Sequence, residues 1–570
     1  MTSIDYGVIA LYFVGLMAVS AIVSRRIKNS EDMFIAGRNS SWWLSGMSTY
    51  MTLFSASTFV IWGGVAYRSG LVAVLIANLV GVACFLAGRA VAGRWRSLRI
   101  KSPGEFLTVR FGKSTLDFYT IVGLVGRGVH TAVALYAIAV VMSTLMPLAP
   151  DNPFADPATG RLAISWAVLL LGAVTLLYTM AGGFLAVLMT DVIQFGVLIT
   201  VVLFMIPLSL HEIGGLESFI AAAPEGFFVP ASAEYPWNWL VLWLFLNAFM
   251  VGGDWPFVQR YISVPTARDA VRSNYLVGVL YLVTPIIWYF PAMAYRIIDP
   301  AADPEQAYIL MSEHVLMKGM LGVMLAAMVS ATLSTVSGTL NVFANVFTYD
   351  IYCAKHPDTP QRRQIRIGRL FTLLFGLTIL GLALLIPYAG GAEKVVVTIL
   401  TMVIAPLYIP SVWGLFSRRI TARHVIAAMS LTYVLGIVLK LTLSGRVNAQ
   451  LLESTIGLLI PLGLLAAMEG WAARRNRIDA GYGRMRAIVD SEADAPPTAE
   501  MRRIERGYSR MAVTCYMATL SAIAVLLTVL LAIGNYDPVL RRIMGWGAGL
   551  MFALSLGYLA YRTVVRRREA

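Results

Sequence analysis

The sequence predicts an all-α polytopic membrane protein of about fifteen spans, and three observations carry that prediction. Of its 570 residues, 58% are hydrophobic and 13% charged. The mean hydropathy of +0.72 lies beyond the range of soluble globular domains. Fifteen apolar runs approach or exceed the ~20 residues that a helix needs to cross hydrocarbon. Finally, positive charge is concentrated in alternate loops between those runs, as in multi-span proteins.

The first run, 6–23, has no leading positive charge and carries Arg25 and Arg26 only after its apolar stretch, so it reads as a span rather than a secretory leader. The run 42–66 contains STYMTLFSASTFVIWGG, poor in strong helix formers and dense in small polar residues, which predicts an interruption near Ser55. Runs 71–93, 116–147, 163–180 and 184–210 follow. The second of these places Arg127 and His130 one turn apart near mid-depth, and the last places Asp191 about two turns inside an apolar helix. In 237–262, Gly252, Gly253 and Pro256 flank Asp254 and predict a second unwound segment, whose free backbone groups can bind ligand.

After 275–295, the run 315–351 carries Ser330, Ser334, Ser337, Asn341 and Asn345 at spacings of four, three, four and four, one face of a helix that Thr335 and Thr339 widen. Lipid cannot satisfy such a face, so it must look at other helices or at a watery path. Its neutral oxygens suit a hard monovalent cation; hydrogen bonding between helices is the competing reading. Runs 370–388, 395–416, 425–443, 456–471, 512–533 and 544–561 complete the set.

The net charge of +14 is distributed by loop. Arg25, Arg26, Lys28, Arg38, Arg96, Arg99, Lys101, Arg110, Arg260, Arg268, Arg272, Arg362, Arg363, Arg418, Arg419, Arg474 and the tail Arg566 to Arg568 fall on one side, with Arg541 and Arg542 as the local exception. The positive-inside rule then puts the N-terminus outside and the C-terminus in the cytoplasm of a plasma membrane, the inner membrane in a bacterium. This placement argues for a bilayer and against nucleic acid. The three cysteines have no metal-ligand or disulfide spacing. Gly112-Lys113-Ser114 lacks the preceding glycine of a phosphate loop, since Leu107 stands there, and the five histidines are scattered. An enzyme is therefore not expected, and no obligate protein partner is inferred.

A buried carboxylate or guanidinium is expensive in a membrane and marks an ion or substrate route, which singles out Asp191, Arg127 and Asp254. Two interrupted helices separated by five spans are the signature of an inverted-repeat secondary transporter. The expected organisation is a leading helix and loop over 1–41, a ten-helix core over 42–416 and two accessory helices over 417–471. A cytoplasmic, disordered loop over 472–510 and two final helices with a basic tail over 511–570 would follow.

Several segments resemble the sodium:solute symporters, relatives of sodium-coupled proline, glucose, iodide and sialic acid carriers. These are EDMFIAGR at 31–38, YTMAGGFLAVLMTDVIQ at 178–194, QRYISV at 259–264, LSTVSGTLNVFANVFTYDIY at 333–352 and GLFSRR at 414–419. The resemblance covers residues 1 to about 471 and implies a leucine-transporter-type fold of five plus five helices. It also implies a sodium site formed by the carbonyl oxygens of Met51, Phe54 and Ala331 and the hydroxyls of Ser334 and Thr335. Some sialic acid carriers show a second sodium site, which would map to Asp191, Ser334, Ser337 and Gly338. Gly338 departs from that pattern, where a hydroxyl residue is expected, and Asp191 would otherwise line a sodium exit.

For the solute, the sugar carriers' Glu-Gln pair at the first break is replaced by Ser57 and Thr58. The Ser55/Thr58 spacing is similar to that of the sialic acid carriers, whose carboxylate-binding Arg corresponds roughly to Arg127. The candidate solute residues are Ser55, Ser57, Thr58, Asn78, Arg127, His130 and Asp254. The favoured expectation is sodium-coupled import of an organic anion, a sugar acid or monocarboxylate, held by a bidentate Arg127 contact. If Asp254 instead neutralises Arg127, the expectation shifts to a neutral sugar, polyol or amino acid. Proton coupling through His130 and Asp191 is the rival to sodium. A transporter-like sensor lacks a signalling domain, and a membrane scaffold would not need charges at depth.

Overall fold

The computed structural model describes the chain apart from residues 1, 26, 28, 150, 390–402, 444, 475–477, 492–496, 535 and 570. Helices α1 (Ser3–Ser24) and α2 (Ser30–Ile35) lead into α3 (Trp42–Leu53), α4 (Ala56–Ser69), α5 (Leu71–Ser97), α6 (Pro103–Phe111) and α7 (Lys113–Leu145). A two-stranded hairpin, β1 (Ala155–Asp156) with β2 (Arg161–Leu162), precedes α8 (Ile164–Glu212) and α9 (Leu216–Ala222). Then come α10 (Trp237–Gly253), α11 (Trp255–Ile262), α12 (Ala267–Ile298), α13 (Ala307–Val315), α14 (Met320–Cys353) and α15 (Gln361–Tyr388). The chain ends with α16 (Ala405–Gly414), α17 (Ala422–Leu443), α18 (Ala449–Ala473), α19 (Ala480–Ser491), α20 (Ala499–Ile533) and α21 (Pro538–Glu569).

Among the described residues, 11 helices are long and apolar enough to cross a membrane, or up to 12 if the bent pair α10/α11 forms one span. Three features reconcile that number with fifteen apolar runs. The first is α8, whose 49 residues would extend ~74 Å as one straight rod, far more than the ~30 Å of hydrocarbon. It turns at Gly183 (φ 54°, ψ −153°), so the runs 163–180 and 184–210 are two crossings. Gly183 abuts Met33, while the far end at Glu212 pairs with His314 at the opposite pole. The second is α3/α4, interrupted by extended backbone at Phe54 and Ser55. The third is the run 395–416, of which 395–402 lies outside the described residues and α16 forms the remainder.

The turn at Gly183 requires glycine twice over. Its φ is positive, and a Cβ there would lie 2.5 Å from the Met33 carbonyl oxygen. Gly183→Ala should therefore destabilise the fold by at least ~1–2 kcal/mol from backbone strain alone. A melting curve of the purified carrier checks this; an unaltered midpoint would mean the turn relaxes without cost.

The core is built around α14. Fully 94% of its most apolar window is buried, against 28% for α20 and 22% for α21. The hydroxyl and amide stripe accordingly faces protein, never lipid. The basic loops gather at one pole, where Arg38 donates to the Arg99 carbonyl at 2.7 Å and Lys101 pairs with Glu31 at 3.2 Å. At the other pole Tyr67 donates to Asp299 O at 2.6 Å and Leu71 N–H to Phe227 O at 2.9 Å.

Two expectations change. Arg96, Arg110 and Arg260 are buried, although their loop positions suggested exposure. Arg96 donates to the Val264 and Pro265 carbonyls, and Arg110 to Gly414, Ser417 and Ile420. Guanidinium groups here satisfy carbonyls left free at helix ends. The interval 472–510, expected to be disordered, contains α19, anchored where Arg110 meets Asp479 at 2.5 Å. Thr498 then caps α20, accepting from the Met501 N–H at 3.2 Å. Residues 492–496 of SEADAPPTAE lie outside the described residues.

Candidate ion and solute sites

The first site forms where α3 stops. Phe54 adopts extended backbone (φ −92°, ψ 140°), so its carbonyl leaves the helical ladder and becomes free to bind. From α14, the Thr335 hydroxyl donates to Phe54 O at 2.7 Å, with Thr52 O and Ala331 O each at 3.4 Å. Met51 O accepts from the Phe54 N–H at 3.2 Å. The Ser334 hydroxyl, one residue along, is buried and reaches no partner at hydrogen-bonding geometry.

Phe54, Ala331 and Thr335, three of the five ligands expected from the resemblance, thus converge around one point. Met51 is tied to the same helix end, and Ser334 is adjacent in sequence. Neutral oxygens at the negative end of a helix suit a sodium ion. Thr332, which the stripe did not single out, accepts from the Ala56 N–H at 2.9 Å and fixes the start of α4. It lies off the four-three-four spacing, so periodicity carried no signal for it.

Asp191 uses only one of its two carboxylate oxygens, and its buried Oδ1 has no hydrogen-bond partner. The residue is fully buried, with Ser48 of α3 donating to its Oδ2 and Arg260 Nη2 of α11 at 3.7 Å. Arg260 also donates through Nε to Ser48 Oγ at 2.9 Å and through Nη1 to Pro256 O at 2.9 Å. The Ser337 hydroxyl turns back to Ser334 O at 3.1 Å. A Cβ on Gly338 would lie 3.4 Å from Arg260 Nη2. The residues singled out for a second sodium site therefore surround an ion pair whose cation, Arg260, was assigned to a loop.

The second interruption, between α10 and α11, bends the chain by 52° at Asp254. Gly253 lets the break approach α16, because a Cβ there would lie 2.6 Å from Tyr408 O. Asp254 pairs with Arg127 of α7, and Arg127 Nη2 lies 3.2 Å from the Tyr408 hydroxyl. The side chains are only 13% and 6% exposed, so the pair is nearly desolvated. A cavity of about 20 Å³ adjoins it, lined also by Tyr119, Trp255, Phe343 and Ser411. That volume admits about one water-sized molecule, so a larger solute lodged there would have to part these walls.

The structure brings Arg127 and Asp254 together, the arrangement associated above with a neutral solute. Ser55, Ser57, Thr58, Asn78 and His130 do not line this cavity. Ser55 and Thr58 form a capping box that starts α4. Asn78 Oδ1 and His130 Nδ1 are enclosed without hydrogen-bond partners. Tyr119, Tyr408 and Ser411 were missed, since single residues of these types inside apolar runs look like packing.

An interrupted helix presenting free carbonyls to a hydroxyl-bearing one, with a charge pair at the second interruption, defines an ion-coupled carrier of the inverted-repeat class. The chain belongs to the Sodium:solute symporter family, whose sequence model matches residues 33–432. It is similar to Sodium/myo-inositol cotransporter 2 of Sus scrofa, with 24% identity over 490 residues, covering 76% of this chain and 69% of that protein. It is also similar to the Sodium/sialic acid symporter NanT of Aliivibrio fischeri, with 26% identity over 402 residues, covering 66% of this chain and 75% of that one. In fold it resembles a Na⁺-coupled sialic acid symporter solved in a substrate-bound, outward-open state. The TM-score is 0.69 at 20% identity, covering 82% of this chain and 98% of that structure. The fold is thus the leucine-transporter-type inverted repeat, and the protein is a multi-pass, sodium-coupled transporter.

Proposed function

We propose that the protein imports a small, uncharged, hydroxyl-rich solute, a polyol or sugar, by alternating access driven by sodium. The observation that carries this reading is the Arg127–Asp254 pair beside the cavity. An anion drawn to Arg127 would meet the Asp254 carboxylate at the same place. A neutral polyol can instead donate to Asp254 and accept from Arg127 while the two charges stay compensated. The similarity to a sodium/myo-inositol cotransporter is consistent with such a solute. Sodium bound between Phe54 and Thr335 would tie α3 to α14 and so link the ion to the first interrupted helix. In this reading the basic pole is cytoplasmic, and the core comprises residues 42–416.

An organic anion is the second reading, and one observation favours it. Arg127 makes both of its side-chain hydrogen bonds through Nη2, which leaves the other guanidinium nitrogens for a carboxylate. The similarity to a sodium/sialic acid symporter points the same way.

Uptake into right-side-out vesicles, with sodium and proton gradients imposed separately, tests both coupling and solute. The expected result is sodium-driven accumulation of a polyol or sugar, uncompeted by sugar acids and monocarboxylates. Accumulation of a sugar acid alone would replace the first reading with the second, and uptake driven only by protons would refute sodium coupling.

A further inference from the structure

We infer that a groove between α10, α16 and α18 holds a phospholipid from the leaflet at the basic pole, one of the phosphatidylethanolamine type. Its head group would carry an ammonium beside the phosphate. The groove shares no lining residue with the cavity beside Asp254. Its volume is about 430 Å³, within the ~300–1,000 Å³ of small-molecule sites. Phe249 of α10, Val412 and Trp413 of α16, and Phe416 just beyond α16 supply its apolar walls. Ser417 and Glu469 of α18 supply its polar end.

Charge at the polar end makes this a head-group site rather than a bare apolar cleft. Glu469 Oε2 accepts from the Ser417 hydroxyl and from Trp413 Nε1 at 3.3 Å, which fixes the carboxylate against the groove. Oε1 lies 3.9 Å from Arg419 Nη1, beyond hydrogen-bond length, and keeps acceptor capacity for a ligand. The Glu469 and Arg419 side chains are 24% and 37% exposed, so a ligand can reach both. Arg94 holds its guanidinium 4.0 Å from the centre of the Phe416 ring, beside the same end. A lipid phosphate can take these arginines, as basic pockets between membrane helices do, while the adjacent ammonium donates to Glu469 Oε1. A choline head group offers that carboxylate no N–H, and a glycerol head group offers it only neutral hydroxyls. The ammonium alone pairs charge with charge.

The acyl chain would run along the aromatic wall to Phe249, about one turn before the break at Asp254. Val412 joins the groove to that break, because a Cβ on Gly253 would lie 3.0 Å from its Cγ2. A lipid seated here therefore braces α16 against the α10/α11 interruption.

The test uses the intact purified carrier and phosphatidylethanolamine bearing a photoreactive acyl chain, with cross-links located by peptide mass spectrometry. Label should concentrate on 412–417 and around Phe249. Unlabelled phosphatidylethanolamine should compete about threefold better than phosphatidylcholine or phosphatidylglycerol, the scale of one partly exposed ion pair. Glu469→Gln keeps an acceptor for Ser417 and Trp413, and should abolish that preference while labelling persists.

Should that variant fail to fold, Phe249→Trp serves as the companion: it fills the apolar end, leaves every charge in place and should cut labelling at 412–417. Label spread evenly over the lipid-facing helices would mean annular lipid only and overturn the inference. Equal competition by the three head groups overturns it too, as does stronger competition by phosphatidylglycerol, which would make the arginines alone the recognition element. An unchanged preference in a folded Glu469→Gln removes the carboxylate from recognition, and unchanged labelling in Phe249→Trp places the chain outside the groove. Either result also overturns it.

Discussion

Arg127→Gln alone should sharply reduce the amount of folded carrier, and Asp254→Asn alone should do the same. Each leaves its partner as an unpaired charge in a nearly dry site between α7 and the α10/α11 break, a loss of ~3–5 kcal/mol in comparable buried pairs. The double variant Arg127→Gln/Asp254→Asn removes both charges and should recover folded protein to near the unaltered level. Size-exclusion profiles and melting curves of the four proteins form a double-mutant cycle whose coupling energy measures the pair. If the solute is uncharged, the double variant should retain some uptake, because amide groups can still exchange hydrogen bonds with hydroxyls. If folding recovers while every trace of uptake and solute binding is lost, the guanidinium is a substrate ligand and the organic-anion reading gains. Additive single effects with no rescue would dissolve the pair as an energetic unit.

Thr335→Ala should raise the sodium concentration for half-maximal uptake by about tenfold or more. It removes the one hydroxyl that lies 2.7 Å from Phe54 O and 3.4 Å from Ala331 O. The loss of one ligand oxygen from a desolvated site corresponds to ~1.5–3 kcal/mol. Thr335→Ser keeps the oxygen and should stay within about threefold of the unaltered value, an allowance of ~0.6 kcal/mol. Ser334→Ala should shift sodium affinity in the same direction as Thr335→Ala. Its hydroxyl has no competing hydrogen bond to lose, so the helix itself should be unaffected. Normal expression with unchanged sodium dependence in both alanine variants would move the ion elsewhere.

Much of the architecture was legible because membranes impose local rules. A span must be about twenty apolar residues, so most crossings could be read directly, including both halves of α8 that a helix-by-helix reading merges. The interruptions at Ser55 and Asp254 were visible because they are written in residue type: small polar residues at the first, Gly252, Gly253 and Pro256 at the second. The α14 stripe was visible because 3.6-residue periodicity places Ser330, Ser334 and Ser337 on one face. The resemblance implied further sodium ligands, and of these the structure places the Thr335 hydroxyl beside the carbonyls of Phe54 and Ala331.

Other features were not legible. Arg110 and Arg260 occupy loop-proximal positions that look solvated, and burial is a property of what packs over them. The helix α19 was hidden because its sequence has little apolar character of its own and is held by docking on α6, through Asp479 to Arg110 and Arg484 to Val109 O at 3.2 Å.

The sequence alone determined the class, most of the crossings, the two breaks and the existence of an oxygen-lined face, because each follows from local composition or helical period. Only the tertiary structure decided which charge faces which. Asp191 meets Arg260, 69 positions away by their residue numbers, and Arg127 meets Asp254, 127 positions away. Nothing local to any of these residues specifies its partner. A buried charge takes whichever opposite charge the packed helices deliver to it, so its role depends on contacts made only once the bundle is assembled.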